Sequence, residues 1–415
     1  MNFNKGDYKI CVVGLGYVGL PLAARFSLKK FNVVGFDINK KRVEELKNNI
    51  DSNDDISLEN LKVLNQNSKL TSNSSSLKDC DIFIVTVPTP INTDKTPDLG
   101  PIIAASKLVG GLMKKGSIVI YESTVYPGVT DDICTPVLER ESSYIFNKSF
   151  STAYSPERIV PGDKINTIEK IKKIVSASNK EALDIVSFFY SSIIDAGIYQ
   201  ATSIKVAEAA KVTENIQRDV NIALINEMHQ LYSSLGISTK DIIEAASTKW
   251  NFMKLTPGLV GGHCISIDPY YLMHKSEISG YSPNIMRASR KINDEMGVWV
   301  KDAFLEFSKK NNIDIMETHI TFLGYSFKEN CSDTRNTKVK ELIYSIKDMG
   351  CNVSLWDPIV KANELLALEK SGVEIHKNPP QKIEFAFLCV EHDQIKSFLN
   401  NYKGLLFNYR DIDFN

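Results

Sequence analysis

Cys264 stands in the segment LVGGHCISIDPYY, residues 259–271, directly after Gly261, Gly262 and His263 and four positions before Asp268. A thiol beside a histidine and near a carboxylate is the material of covalent catalysis, because the thiolate is the nucleophile and a neighbouring cation favours it. The two glycines let backbone approach a bound molecule closely. Taken alone, the same cysteine reads more readily as a core residue, since unpaired thiols are among the most buried side chains. A second candidate pair, Lys211 and Asn215, is four residues apart. On a helix the two share a face, presenting a cation and a hydrogen-bond donor together. By itself that pair reads more readily as a solvated surface.

The next candidate is a phosphate-binding turn. The apolar run YKICVV leads into Gly14-Leu15-Gly16-Tyr17-Val18-Gly19 and then LPLAARFSLKK. Between a strand and a helix, GxGxxG cradles the pyrophosphate of a dinucleotide. Gly14 makes the turn, Gly16 admits the phosphates, Gly19 packs helix on strand, and the loop residues Tyr17 and Val18 lie beside the cofactor. A second run, NVVGFD, ends at Asp37, 18 residues after Gly19. An acid there bonds the ribose 2′-OH and repels a 2′-phosphate, so NAD is expected as cofactor. Lys40, Lys41 and Arg42 follow closely, which places Arg42 among the cofactor candidates and leaves room for NADP. DIFIVTVPTP (81–90) and SIVIYEST (117–124) read as further strands. Ligands in such sheets sit at the carboxyl ends of strands, where Thr89, Glu122, Ser123 and Thr124 fall. Residues 48–76, rich in Asn and Ser, read as a polar helix and loops.

The elements that must position these groups are set by the rest of the chain. Its 415 residues, 43% hydrophobic and 24% charged, suit a globular protein of two or three domains. A net charge of −1 argues against a nucleic-acid partner. Seven scattered cysteines, with no CxxC and no metal-ligand spacing, fit reduced thiols in a cytoplasm and no bound metal. There is no 18-residue apolar run and no signal-peptide core at MNFNKGDYK, so the expectation is a cytoplasmic protein without a membrane partner. Residues 203–237 run without proline or glycine until Gly236 and predict a long helix, the spine of a helical domain and often a dimer seam. From residue 318 an α/β rhythm restarts: THITFLGYSF, the helix KVKELIYSIKDMG, NVSLWDP ending near Asp357, EFAFLCVEHD and GLLFNYRD. It lacks GxGxxG, so it is expected to bind something other than a whole dinucleotide. Lys328, Asp333 and Arg335 lie beyond its first strand, and such cations suit phosphates. The expected fold is α/β, with two Rossmann-like doubly wound domains (1–200 and 318–415) joined by a long central helix and helical domain (201–317).

Together, GLGYVGLPLA, VPTP, ESTVYPG, YSPERIVPG, KVAEAAKVTEN, GGHCISIDPYY and FKENCSDTRNTK, in this order, resemble the UDP-glucose/GDP-mannose 6-dehydrogenases. The resemblance implies a four-electron oxidation of a sugar C6 alcohol to a carboxylate, with two NAD reduced and no metal. Cys264 would form a thiohemiacetal and then a thioester, Lys211 and Asn215 would face the developing oxyanion, and Asp268 and Thr124 would hold the water. Glu157 would assist hydrolysis. Substrate contacts would fall to Glu157, Arg158, Lys211, Asn215, Gly261, Phe327, Lys328 and Arg410, with Arg335 reaching towards NAD.

The chain departs from the UDP-glucose enzymes at Pro161, where they carry a second glutamate, and at Ile267, where they carry a lysine. Lys249 stands near the place of an arginine that reaches the partner subunit's substrate. The SPERxxPG and GHCIxxDPYYL forms resemble the branch acting on UDP-N-acetylglucosamine or UDP-N-acetylgalactosamine, which feeds bacterial capsule and O-antigen synthesis, with the N-acetylmannosamine and UDP-glucose enzymes as alternatives. A homodimer or larger homo-oligomer is expected. A rival of another class, a single-hydride hydroxyacid or 6-phosphogluconate-type dehydrogenase, accounts for the first domain and the spine but not for Cys264 or residues 318–415. A non-catalytic sugar-nucleotide sensor is a further rival.

Overall fold

The computed structural model describes residues 4–159, 167–262 and 264–412; Pro161 and His263 lie outside the described residues. The chain divides into two compact units, Met1–Glu214 with Tyr270–Tyr281, and Asn215–Pro269 with Ser282–Asn415.

In the first unit, β1 (Lys9–Val13), β2 (Asn32–Phe36), β3 (Ser68–Thr71), β4 (Ile82–Val85), β5 (Ser117–Tyr121), β6 (Phe150–Tyr154), β7 (Lys173–Ala177) and β8 (Ile198–Gln200) form one sheet. Its order is β3-β2-β1-β4-β5-β6-β7-β8. All neighbours run parallel except β6 and β7. The central strands β4 and β5 are buried at every position, as a parallel sheet covered on both faces requires. Val12, Ile84 and Ile120 pack in one core with Phe26 and Phe189 from the flanking helices. β1 and β4 are neighbours although β2 and β3 intervene in sequence. Strand order therefore reverses between them, and a crevice opens at their carboxyl ends. Strand β3 departs from the sequence expectation of helix and loops over 48–76. It is a four-residue edge strand of which only Leu70 and Thr71 are buried, too short and polar to show alternation.

Unit two contains β9 (Ile320–Leu323), β10 (Val353–Trp356), β11 (Glu374–His376), β12 (Phe385–Leu388) and β13 (Leu405–Asn408). These are all parallel in the order β11-β10-β9-β12-β13, with the same reversal between β9 and β12. The helix Asn284–Lys310 was not singled out from sequence. It lays Met296, Val300 and Phe304 on this sheet against Phe322 and Phe387. The spine helix spans Ile204–Ser234. No helix among the described residues is long and apolar enough to cross a membrane.

Candidate active site

The glycine turn follows β1 directly. Gly14 takes φ +101°, a conformation side chains resist. Its amide donates to the Phe36 carbonyl, and its carbonyl accepts the Thr86 hydroxyl at 2.8 Å. A Cβ at Gly19 would stand 1.9 Å from the Gly14 carbonyl oxygen, so only glycine lets helix and turn meet. A Cβ at Gly16 would meet nothing within 4 Å, and Val18 caps the following helix with no side-chain acceptor. The turn thus offers uncapped amides and open space, which fits a pyrophosphate. Asp37 holds this turn: its carboxylate accepts the amides of Leu15 and Asn39, both at 2.8 Å. Arg42 is buried beneath it, donating to the Leu15 carbonyl and pairing with Asp51 and Asp55. Its guanidinium is committed to the protein. Beyond β4 and β5, the Thr89 hydroxyl donates to the Thr124 carbonyl and the Ser123 hydroxyl to the Val87 carbonyl, which ties the two loops at the crevice.

Further along the same carboxyl edge lies a buried charge cluster. The Lys173 ammonium pairs with Glu122 at 2.7 Å and with Glu157 at 3.4 Å, and the Tyr190 hydroxyl donates to Glu122. Burial pushes the Glu122 carboxyl up, against the opposing pull of Lys173. Burial would lower Lys173, but the two carboxylates outweigh it and raise the ammonium's pKa. Glu157 also accepts the amides of Arg158 and Ile159, and Arg158 forms a two-pronged pair with Glu214 on the spine helix. One turn back from Glu214, Lys211 is 8% exposed. Its ammonium finds no hydrogen bond or ion pair among the described residues. Glu208, another turn back, caps the loop after β5 by accepting the amides of Gly128 and Thr130. Burial raises its carboxyl to about 7 despite those two amides.

The second unit carries the thiol. Six of the seven cysteines are buried and Cys264 alone is partly exposed, which a core role would not require. Its carbonyl accepts the amides of Ile267 and Asp268, the latter at 2.8 Å, so Asp268 begins the helix Asp268–Ile278. Asp268 is 3% exposed and accepts the Asn215 amide group at 2.5 Å. The preceding glycines are seated on the FKENCSDTRNTK segment. Gly262 donates to the Arg335 carbonyl and accepts the Asn336 side chain, while a Cβ at Gly261 would meet the Asn336 carbonyl at 2.7 Å. The Arg335 guanidinium itself pairs with Asp333.

Beside this loop lies a cleft of about 710 Å³ lined by Gly261, Phe327, Lys328, Val390 and Arg410. It sits at the carboxyl ends of β9 and β12, where strand order reverses. The Arg410 guanidinium lies 4.4 Å over the Tyr409 ring and donates Nη2 to the Cys389 carbonyl. Its buried Nη1 has no partner among the described residues, a donor placed for an anionic ligand. Asp357 and His392, both fully buried as side chains and 3.1 Å apart, brace the segment after β9. Asp357 accepts the Tyr325 amide at 2.6 Å and His392 the Asn330 amide at 2.9 Å.

Profiles of the UDP-glucose/GDP-mannose dehydrogenase family match in series: its NAD binding domain at residues 8–194, its central domain at 205–295 and its UDP binding domain at 321–411. The chain belongs to this family. The family's NAD binding domain contains the glycine turn, and NAD is the cofactor; its UDP binding domain and its central domain both contribute walls of the cleft. Similar curated proteins include the UDP-N-acetyl-D-glucosamine 6-dehydrogenase of Pseudomonas aeruginosa, 48% identical over 94% of this chain and 92% of that protein. The enzyme of that name from Salmonella typhi is 46% identical over 95% and 92%. Among solved structures, a UDP-D-ManNAc dehydrogenase from Pyrococcus horikoshii superposes with a TM-score of 0.83 at 29% identity, over 94% of this chain and 90% of that one.

Two features of this family member were not read from its sequence. Arg218, Lys254 and Lys338 also line the cleft; Arg218 follows Asn215 by one helical turn, a signal that was there to find. Lys249 instead lies on an exposed turn and does not line that cleft. Lys173, the centre of the buried cluster, begins a strand with no local motif around it.

Proposed function

We propose that this enzyme oxidises the C6 hydroxyl of a UDP-N-acetylhexosamine, UDP-N-acetyl-D-glucosamine foremost and its C4 epimer next, to the uronic acid for polysaccharide synthesis in the cytoplasm. The observation that carries the substrate is the near-full-length similarity to two UDP-N-acetyl-D-glucosamine 6-dehydrogenases. The reading keeps three functional segments: 1–200 for NAD, 201–317 for the spine and thiol, and 318–415 for the nucleotide.

In this mechanism Lys328 and Arg410 hold the diphosphate, with the unpartnered Nη1 of Arg410 as a donor. The glycine turn would hold NAD, and two NAD bound there in succession would supply the hydride acceptors for the two oxidations. Lys211, buried and unpaired among the described residues, stabilises the alkoxide and later the oxyanion, with Asn215 donating to the same oxygen. The Cys264 thiolate adds to the C6 aldehyde carbon, which retains the reactive intermediate as a thiohemiacetal. Loss of hydride from that carbon leaves a thioester. Water positioned by Asp268 and Thr124 attacks it, Glu157 takes the water's proton, and Cys264 departs as thiolate.

NADH release against UDP-GlcNAc, UDP-GalNAc, UDP-ManNAc, UDP-glucose and GDP-mannose tests this reading. Two NADH per sugar, with kcat/KM for UDP-GlcNAc or UDP-GalNAc at least about tenfold above UDP-glucose, is expected. One NADH per sugar rejects the thioester route, and a preference for UDP-ManNAc or UDP-glucose rejects the substrate. We also propose a homodimer. Leu224, Leu231 and Leu235 are each more than half exposed on or just beyond the spine helix, and light scattering that returns a monomer mass would overturn it.

A further inference from the structure

We infer that Lys173 is a positioning residue for the hydrolytic half of the reaction, orienting the Glu157 carboxylate, with Glu122 sharing its ammonium. This rests on the reading above in which Glu157 takes the proton of the attacking water.

Strand direction is the first support. β1 to β6 are parallel, and the crevice lies at their carboxyl ends. β7 turns back, pairing antiparallel with β6, and β8 follows it in parallel. Its first residue, Lys173, is thereby carried to the edge where Glu122 follows β5 and Glu157 follows β6. In a parallel β7 the same lysine would begin at the opposite edge of the sheet.

Burial is the second. Lys173 is 3% exposed, Glu122 1% and Glu157 7%. Removing three charges from water costs several kcal/mol per ion before pairing returns it, so such a cluster is a poor device for stability alone.

Glu157 is also gripped from both sides. Its Oε1 accepts the amides of Arg158 and Ile159, and its Oε2 faces the ammonium. The groups facing Lys173 from each packed element are Glu122 beyond β5, Glu157 beyond β6 and Tyr190 from the helix Lys180–Ile193, whose ring lies 5.4 Å from the ammonium. The Tyr190 hydroxyl is spent on Glu122. Lys173 is therefore divided between two carboxylates, and whatever neutralises one leaves more of its charge for the other.

With Lys173→Met the grip on Oε2 of Glu157 is lost, so thioester hydrolysis should slow while the two oxidations keep their rate. With Glu122→Gln the ammonium serves Glu157 alone, and hydrolysis should keep at least its wild-type rate. Lys173→Arg should restore hydrolysis to within a few-fold.

The experiment uses full-length enzyme, UDP-GlcNAc and NAD in single-turnover and steady-state modes, with intact-mass detection of the sugar acyl group on Cys264. In Lys173→Met, expected results are a burst of two NADH per site, steady turnover reduced at least tenfold and accumulated acyl-enzyme. Glu157→Gln should do the same. A Lys173→Met enzyme that hydrolyses at the wild-type rate, while Glu157→Gln stalls, overturns the role of Lys173. If Glu157→Gln hydrolyses normally, the reading of Glu157 itself has failed. Should Lys173→Met not fold, Lys173→Gln takes its place: hydrolysis at the wild-type rate in that variant overturns the inference.

Discussion

Two glycines of the cofactor turn should fail in different ways. A methyl at Gly19 would lie 1.9 Å from the Gly14 carbonyl oxygen and 2.4 Å from the Thr86 hydroxyl. Contacts below 3.0 Å are not tolerated, so the turn must move by about 1 Å. Overpacking of this kind costs about 1–3 kcal/mol, and losing the Thr86–Gly14 hydrogen bond adds about 1 kcal/mol. For a unit of this size, Gly19→Ala should lower Tm by about 4–16 °C. Amides displaced from a pyrophosphate lose charge-assisted bonds of about 1.5–3 kcal/mol each, so NAD affinity should fall at least about a hundredfold. Gly16→Ala meets nothing within 4 Å, so Tm should move by less than about 2 °C, within the range of neutral surface changes. Its methyl nevertheless occupies the approach of the phosphates, and NAD should bind at least about tenfold more weakly, or 1.4 kcal/mol. Thermal melts and calorimetric NAD titrations of both variants separate the two effects. Wild-type NAD affinity in Gly16→Ala would refute the placement of the cofactor on this turn, and a wild-type melt in Gly19→Ala would refute the packing argument.

Cys264→Ala should abolish uronic acid formation while substrate and NAD binding stay within about threefold, and iodoacetamide should inactivate in proportion to labelling of this one partly exposed thiol, with UDP-sugar protecting; two NADH per sugar from Cys264→Ala would show the thiol only packs. Arg410→Ala should raise KM at least about tenfold with kcat changed far less, since it removes a charged donor used in binding; an unchanged KM would remove the cleft from consideration. Glu208, raised from 4.5 to about 7 in the native state, binds its proton more tightly folded than unfolded, so its stabilising contribution is complete below about pH 4.5 and is lost as pH rises through 7. Melting points from pH 5 to 8 should therefore fall less steeply in Glu208→Gln than in the wild type, and identical slopes would contradict the burial argument.

Local chemistry was legible where it depends on neighbours in sequence. The glycine turn needs a strand before it, a helix after it and glycines at three fixed places, all within residues 9–28. The thiol loop is likewise read from its flanking glycines and Asp268, and its chemistry awaits the Cys264→Ala test. Contacts between distant segments were not legible. Arg42 reads as a cation near a phosphate site, yet Asp51 and Asp55 from the next loop claim it. Lys173 and Glu122 are 51 positions apart and meet only because β7 reverses. β3 escaped notice because an edge strand buries too little to impose a pattern on four residues. Fold class was the easier inference, since it needs only the rhythm of apolar runs and helices, whereas site assembly needs the crossings between them.

The seating of Gly261 and Gly262 on residues 335–336 and Phe327 has a mechanical consequence. Under the proposed mechanism, the loop that carries the nucleophile and the loop that holds the nucleotide would be tied together by these contacts, like the jaw and anvil of a gauge. A sugar would then be measured from its diphosphate end, and its sixth carbon would reach the sulfur only when the span is correct. Sugars shortened by one carbon would sit in the gauge with nothing at the sulfur, bound but unreactive, so rejection would be felt in turnover more than in affinity.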